Sequence, residues 1–169
     1  VDHGTVTGVT YQREPCAAIW DEVAPLLERH WHEVAHYQDI PLAVDRAAYE
    51  RADAGGFLRC FTARLPALPQ LVGDPRPGAL IGYAAYLVGP NWHYRMSLQA
   101  KQDVVFLAPE HRRGRVALRL LALADEQLKA EGIQAVYHHV KLAHPRLGRL
   151  LEHLGYEAVE TIWAKRLDR

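Results

Sequence analysis

"DVVFLAPEHRRGRVALRLLALA", residues 103–124, runs from an apolar strand through a short Arg/Gly turn straight into an amphipathic helix. The first N–H groups of such a helix have no partner one turn back, so they point out of the turn with the positive end of the helix dipole behind them. An anion is what this arrangement attracts, and a pyrophosphate suits it. Arg112, Arg113 and Arg115 place positive charge where a doubly charged ligand needs it. Read locally, the same stretch also fits a solvated helix start, since short basic turns are common. The helix itself is well marked: Ala117, Leu118, Leu121, Ala124 and Leu128 share one face, and Gly132 supplies the stop.

Working outward, "TVTGVTYQRE" (5–14) alternates as a first strand, and Pro15 suits the first turn of a helix over 15–39. Trp20, Val23, Leu27, Trp31 and Val34 form its apolar stripe; His32, Glu33, His36 and Pro25 fall on the other side. Residues 44–56 predict a shorter helix with Asp45 as N-cap and Gly55-Gly56 as stop. Strands follow at 57–65, 79–90 and 96–109, the first two joined by a proline-punctuated loop, "PALPQLVGDPRPG" (66–78). After the basic-turn helix come a strand at 133–141, a helix at 145–155 and a last strand or pair within 156–167. The order β-α-α-β-β-β-α-β-α-β predicts a mixed α/β domain spanning residues 1–169.

Bulk properties exclude several classes. Twenty basic residues balance twenty acidic ones, so no nucleic-acid footprint is expected. Cys16 and Cys60 lie far apart without C-x-x-C spacing, which points to neither a disulfide framework nor a thiolate metal site. No apolar run approaches the ~20 residues of a membrane span, and the polar start "VDHGTVTG" is no signal sequence, so a cytoplasmic protein without membrane contact is expected.

"PEHRRGRVALRLL" resembles the acetyl-CoA-binding motif of the GNAT superfamily of N-acetyltransferases: Arg or Gln, two residues, Gly, one residue, then Gly or Ala. Here the motif reads Arg112-Arg113-Gly114-Arg115-Val116-Ala117, with Arg115 where the family usually has Gly. "GYAAY" is similar to the family's third strand and "LLEHLGYEAV" to its fourth helix and following strand; "HYQDIPL", "HYRMSLQAKQDVVFL" and "VYHHVK" resemble a phage or prophage branch. The resemblance implies one mixed sheet of about six to seven strands flanked by about four helices.

It also implies a site. Two parallel strands, ending near Leu107 and Val140, would splay to admit the pantetheine of acetyl-CoA, and the acceptor would enter over the first two helices. Arg112, Arg113, Gly114, Arg115, Val116 and Ala117 would hold the pyrophosphate, and the backbone N–H of Phe106 or Leu107 the thioester oxygen. Asp103 is the candidate base. His138 and His139 alternate along their strand, so that one can face the cleft as acid or base. Many relatives carry a Tyr acid in the fourth helix, where this chain has Leu151; Tyr137, His153 and Tyr156 are secondary candidates. The expected reaction is direct acetyl transfer to a small-molecule or peptide amine, with a homodimer possible because dimers are frequent in the family. The rival is a module that binds CoA or a protein without catalysis, which Arg115 and Leu151 motivate.

One further pattern competes. His32-Glu33-x-x-His36 has zinc-peptidase spacing, which works only if one helical face carries both imidazoles. The third ligand is missing from "YQDIPLAVDRAAYE", where Glu50 is the nearest helical carboxylate, so no metal is expected. In a GNAT-like fold, His32, Glu33, His36 and Tyr37 would instead border the acceptor cleft or form a solvated face.

Overall fold

A computed structural model of the protein describes residues 8–67 and 77–168. In chain order it contains β1 (Thr10–Arg13), a 3-10 turn (Cys16–Ile19), α1 (Trp20–Val34), α2 (Arg46–Ala54), β2 (Leu58–Arg64), β3 (Leu80–Pro90) and β4 (Leu98–Leu107). A second 3-10 turn (Pro109–His111), α3 (Val116–Ala130), β5 (Ala135–Tyr137) and α4 (Arg146–His153) complete it. The fold is mixed α/β, with one sheet in the order β1-β2-β3-β4-β5. Four of those strands pair antiparallel in succession, and only β4 and β5 run parallel. Most of the proline-rich loop at 66–78 lies outside the described residues.

The chain divides into two compact units, one up to His139 that holds the whole sheet and one from Val140 onward that holds α4. In the second unit α4 ends on Gly155 at φ +90°, and the Tyr156 N–H reaches back to the Leu151 carbonyl at 3.0 Å. That is the left-handed glycine stop expected of "HLGY". Residues 156–168, expected to form one or two more strands, are neither helix nor strand. A strand exists only by pairing, which an alternating composition does not itself provide, and the Val159, Ile162, Trp163 and Leu167 side chains are exposed.

Local chemistry explains the helices of the first unit. Asp45 caps α2, its Oδ1 accepting from the Ala48 N–H at 2.9 Å. The helix expected at 15–39 is a 3-10 turn followed by α1, which runs unbroken through Pro25 and stops at Val34, where Ala35 turns extended. Trp20, Val23, Leu26 and Leu27 of α1 are buried against Leu58, Cys60, Tyr83, Ala85, Val104 and Phe106 of the sheet. Val116, Leu120, Leu121, Ala124 and Leu128 are the buried residues of α3, which contacts β1, β2 and β3. Beside this core Arg64 is fully buried and grips Glu14 and Glu22 at 2.7–2.8 Å. Burial works against the Glu14 charge, but hydrogen bonds from Arg64 and Thr62 win and hold its carboxyl below the ordinary range.

The β3–β4 pair sets the geometry of the site. Ala85 faces Val104 while Tyr86 faces Gln102, so Asp103 is an extra residue in β4, a β-bulge. Close by, Gly82 faces Leu107, and a Cβ on it would stand 2.8 Å from the Phe106 carbonyl oxygen and 3.1 Å from the Leu107 Cα. Gly82→Ala is therefore expected to push β4 away from β3 and to cost about 1–3 kcal/mol in urea unfolding, as overpacked sites do.

Candidate active site

Beyond the bulge, one edge of β4 pairs with no strand among the described residues. Its ladder with β5 consists of Gln99–Ala135, Ala100–Val136 and Lys101–Tyr137 and pairs nothing further along β4. The Gln134 N–H donates to the Leu98 carbonyl, so residues 98, 100 and 102 direct their backbone groups toward β5. The extra residue reverses that parity. Past Asp103 it is the Ala108 N–H that donates to Ile81 of the neighbouring segment, so 104, 106 and 108 face β3 while Val105 and Leu107 face the free edge. Of the two amides expected to meet a thioester oxygen, Leu107 is on the open side and Phe106 is spent on the sheet. Val105 shares the open side, and the sequence reading missed it because a bulge leaves no mark in a run such as "AKQDVVFL".

At the C-terminal end of this edge lies the basic turn. Gly114 has φ +70°, a left-handed conformation that other residues adopt only under strain. Arg115 keeps φ at −107°, so its side chain is accommodated where the family usually has Gly. The first bond within α3 runs from the Arg119 N–H to the Arg115 carbonyl at 2.9 Å, which leaves the amides of Val116, Ala117 and Leu118 without an intrahelical acceptor. Arg113, Gly114 and Arg115 are exposed around them. The donors left over at this turn are backbone amides, the groups by which a helix N-terminus attracts negative charge.

Arg112 does other work. Its Nη1 and Nη2 form a bidentate pair with the Glu33 carboxylate at 2.6 and 2.5 Å, and its Nε donates to the Leu107 carbonyl at 2.7 Å. One helical turn earlier on α1, Arg29 makes the converse pair with Glu110 at 2.7 and 3.2 Å. Hydrogen bonds from Arg29 hold the Glu110 carboxyl down to about 2. Both guanidinium groups lie over the Phe106 ring, 5.9 Å away for Arg29 and 5.4 Å for Arg112. Two opposite-sign pairs thus clasp α1 to the turn, and Glu33 belongs to the clasp.

The HExxH pattern loses its premise here. His36 lies beyond the end of α1 at Val34, so the two imidazoles do not share a helical face, and Glu33 is engaged by Arg112. His32 packs edge-on to Trp31 at 4.9 Å, and His36 stacks edge-on to Tyr37 at 4.6 Å. His32 and His36 are exposed, Tyr37 half-buried.

Asp103 projects from the bulge toward α2, where Oδ2 accepts from the Tyr49 hydroxyl at 2.6 Å. Burial, then the hydrogen bond to Asp103, raises the Tyr49 phenol far above its ordinary range, so it stays a donor. His138 and His139 follow β5 rather than continuing it. The His138 ring meets the Tyr86 ring edge-on at 5.5 Å and lies 2.9 Å, through Nδ1, from Gln102 Oε1. Leu151, His153 and Tyr156 belong to the second unit.

Two outcomes follow. Single substitutions of Glu33 or Arg112 should each weaken the fold, whereas the swap Glu33→Arg with Arg112→Glu should recover part of the loss. A double-mutant cycle in urea should give a coupling of about 1 kcal/mol for this half-exposed pair, and additive losses would contradict the clasp. His138 carries the second. Burial first, then the His139 charge, lowers its pKa from 6.5 to about 4. Between those values the unfolded chain takes up a proton that the folded chain refuses, so the neutral ring's contribution is complete above pH 6.5 and lost by about pH 4. The stability difference between wild type and His138→Gln should shrink by about 2–3 kcal/mol when urea unfolding is repeated at pH 4 instead of 7.5.

Residues 20–156 match the model of the acetyltransferase (GNAT) family. Among solved structures the fold is similar to that of an aminoglycoside acetyltransferase, meta-AAC0020, from an uncultured soil metagenomic sample, with TM-score 0.72, 10% identity and 95% and 96% of the two chains covered. It is also similar to a ribosomal-protein-alanine N-acetyltransferase from Brucella melitensis biovar Abortus 2308, with TM-score 0.67, 15% identity and 95% and 99% covered. A third, described as a predicted acetyltransferase with acetyl-CoA from Clostridium acetobutylicum, gives TM-score 0.64 at 13% identity over 95% and 97%. At such identities the likeness is one of fold. No curated protein matches the sequence. Since the family model spans well over half its length, the chain belongs to the acetyltransferase (GNAT) family.

Proposed function

We propose that the protein is an acetyl-CoA-dependent N-acetyltransferase that moves the acetyl group to a primary amine by direct attack, with residues 1–169 forming one such domain. The observation that carries this reading is the edge of β4 beyond Lys101, unpaired among the described residues, which leads into the turn at Arg113, Gly114 and Arg115, exposed just before α3. Acetyl-CoA would supply the activated thioester. The chain would supply the open-side amides of Val105 and Leu107 and the Val105 carbonyl for its carbonyl and amide groups, and the amides of 114–117 for its diphosphate. Arg113 and Arg115 add charge there, while Arg112 braces the turn.

The amine would arrive on the α1–α2 side. Asp103, exposed on the bulge, meets its charge and takes its proton; His138, neutral at physiological pH, is the second acceptor near the parting of the strands. Among the described residues of the edge there is no thiol to carry a covalent acetyl, since Cys16 and Cys60 are both buried beneath α1. His32, His36 and Tyr37 lie at or beyond the end of α1, which suits contact with the acceptor, a small amine or a peptide. A second reading, CoA binding without turnover, is favoured by one observation: Arg112, the motif's first residue, is spent on Glu33 and Leu107.

The test is calorimetry with acetyl-CoA followed by thiol release across a panel of primary amines. Saturable heat and amine-dependent thiol release are expected, and Asp103→Asn should lower kcat at least tenfold with binding of acetyl-CoA retained. Binding without release from any amine would favour the second reading. No heat at millimolar acetyl-CoA would overturn both.

A further inference from the structure

The ladder between β4 and β5 stops where a backbone rung gives way to a side chain. Continuing the pattern set by Gln134 N–H to Leu98 carbonyl would bring the His138 N–H to the Gln102 carbonyl, but β5 ends at Tyr137. Instead the His139 backbone N–H donates to the side-chain oxygen of Gln102 at 3.2 Å. The same oxygen lies 2.9 Å from Nδ1 of His138. A backbone N–H can only donate, so it fixes which end of the Gln102 amide faces β5. That in turn fixes the imidazole: Nδ1 must carry the hydrogen, and in the neutral ring the lone pair sits on Nε2.

The geometry points to Gln102 as a positioning residue that pins the apex of the β4–β5 cleft and selects the Nδ1–H form of His138. It stands immediately before the bulge at Asp103, so one residue ends the paired part of the sheet and the next turns the free amides outward. The Tyr86 ring, edge-on to His138 from β3 with an interplanar angle of 89°, walls the imidazole on another side. Two hydrogen bonds accepted by one amide oxygen thus hold both the strand ends and the ring. The role in turnover rests on the acetyltransferase reading above; the role in fixing the ring does not.

The test is built to separate the two. Nitrogen-15 spectra of the apo protein at neutral pH report which imidazole nitrogen of His138 carries hydrogen. Wild type is expected to show Nδ1 protonated, and so is Gln102→Glu, which keeps an acceptor in place. Gln102→Leu should release the ring toward Nε2–H and lose the constraint on the His139 amide, seen as faster hydrogen exchange there. In turnover, Gln102→Leu should raise KM for acetyl-CoA about three- to tenfold, the cost of one or two uncharged hydrogen bonds, with Gln102→Glu closer to wild type. An Nε2–H ring in wild type, or a His138 spectrum indifferent to Gln102→Leu, would overturn the inference, and it would do so even if the chain transferred no acetyl group. If Gln102→Leu fails to fold, the wild-type spectrum alone still decides.

Discussion

One extra residue in β4 governs the rest. With a regular ladder, the backbone groups of Val104 and Phe106 would face β5 and those of Val105 and Leu107 would face β3. Asp103 interrupts the ladder and exchanges the two sets. Because β5 ends at Tyr137, the exchanged groups meet no further strand among the described residues. Unpaired backbone is costly when buried, so an edge of this kind is stable only if solvent or a ligand completes it. The bulge also lifts the Asp103 side chain onto the α2 side, where Tyr49 steadies it. Donor edge and carboxylate are consequences of the same insertion.

The second constraint is electrostatic. An α-helix N-terminus with a glycine at positive φ offers donors, but they are useful only if the turn keeps its place. Here α1 supplies that restraint through Arg29 and Glu33, which meet Glu110 and Arg112 in opposite charge order. Each pair is half-exposed and worth little alone. Together they share Phe106, whose side chain comes from the strand that carries the free edge. A second groove, at the β3–β4 hairpin, is lined by Phe57, Leu87, Gly89, Trp92, His93 and Lys101, and it lies toward the end of β4 away from the basic turn.

Much of this was legible in the residues. The element order through α4, the Asp45 cap, the stops at Gly55-Gly56 and Gly132 and the passage from β4 through a turn into α3 follow from local patterns, because caps, glycine stops and apolar periods act within a few residues. What stayed hidden is non-local. Glu33 and Arg112 are 79 residues apart, and their pairing removed both the metalloprotease spacing and the direct role of Arg112 on a diphosphate. The end of α1 at Val34 carries no glycine or proline signal. The bulge at Asp103 appears only when β4 is laid against β3. The C-terminal run 156–167 has strand-like composition, yet a composition cannot supply the partner a strand needs. Asp103 lies on the bulge, Leu107 on the side of β4 turned away from β3, and Gly114 to Ala117 at the start of α3; Val105 and Gln102 draw notice only once the strands are laid side by side.

The most direct measurement is a titration of nitrogen-15-labelled protein with CoA, following backbone amides. The account predicts that Val105, Leu107 and residues 114–117 shift together and that Phe106, bonded within the sheet, moves far less. If the largest shifts fell instead on Phe106 or on the hairpin groove around Gly89 and Trp92, the free edge of β4 would not be the coenzyme's seat and the account would be wrong.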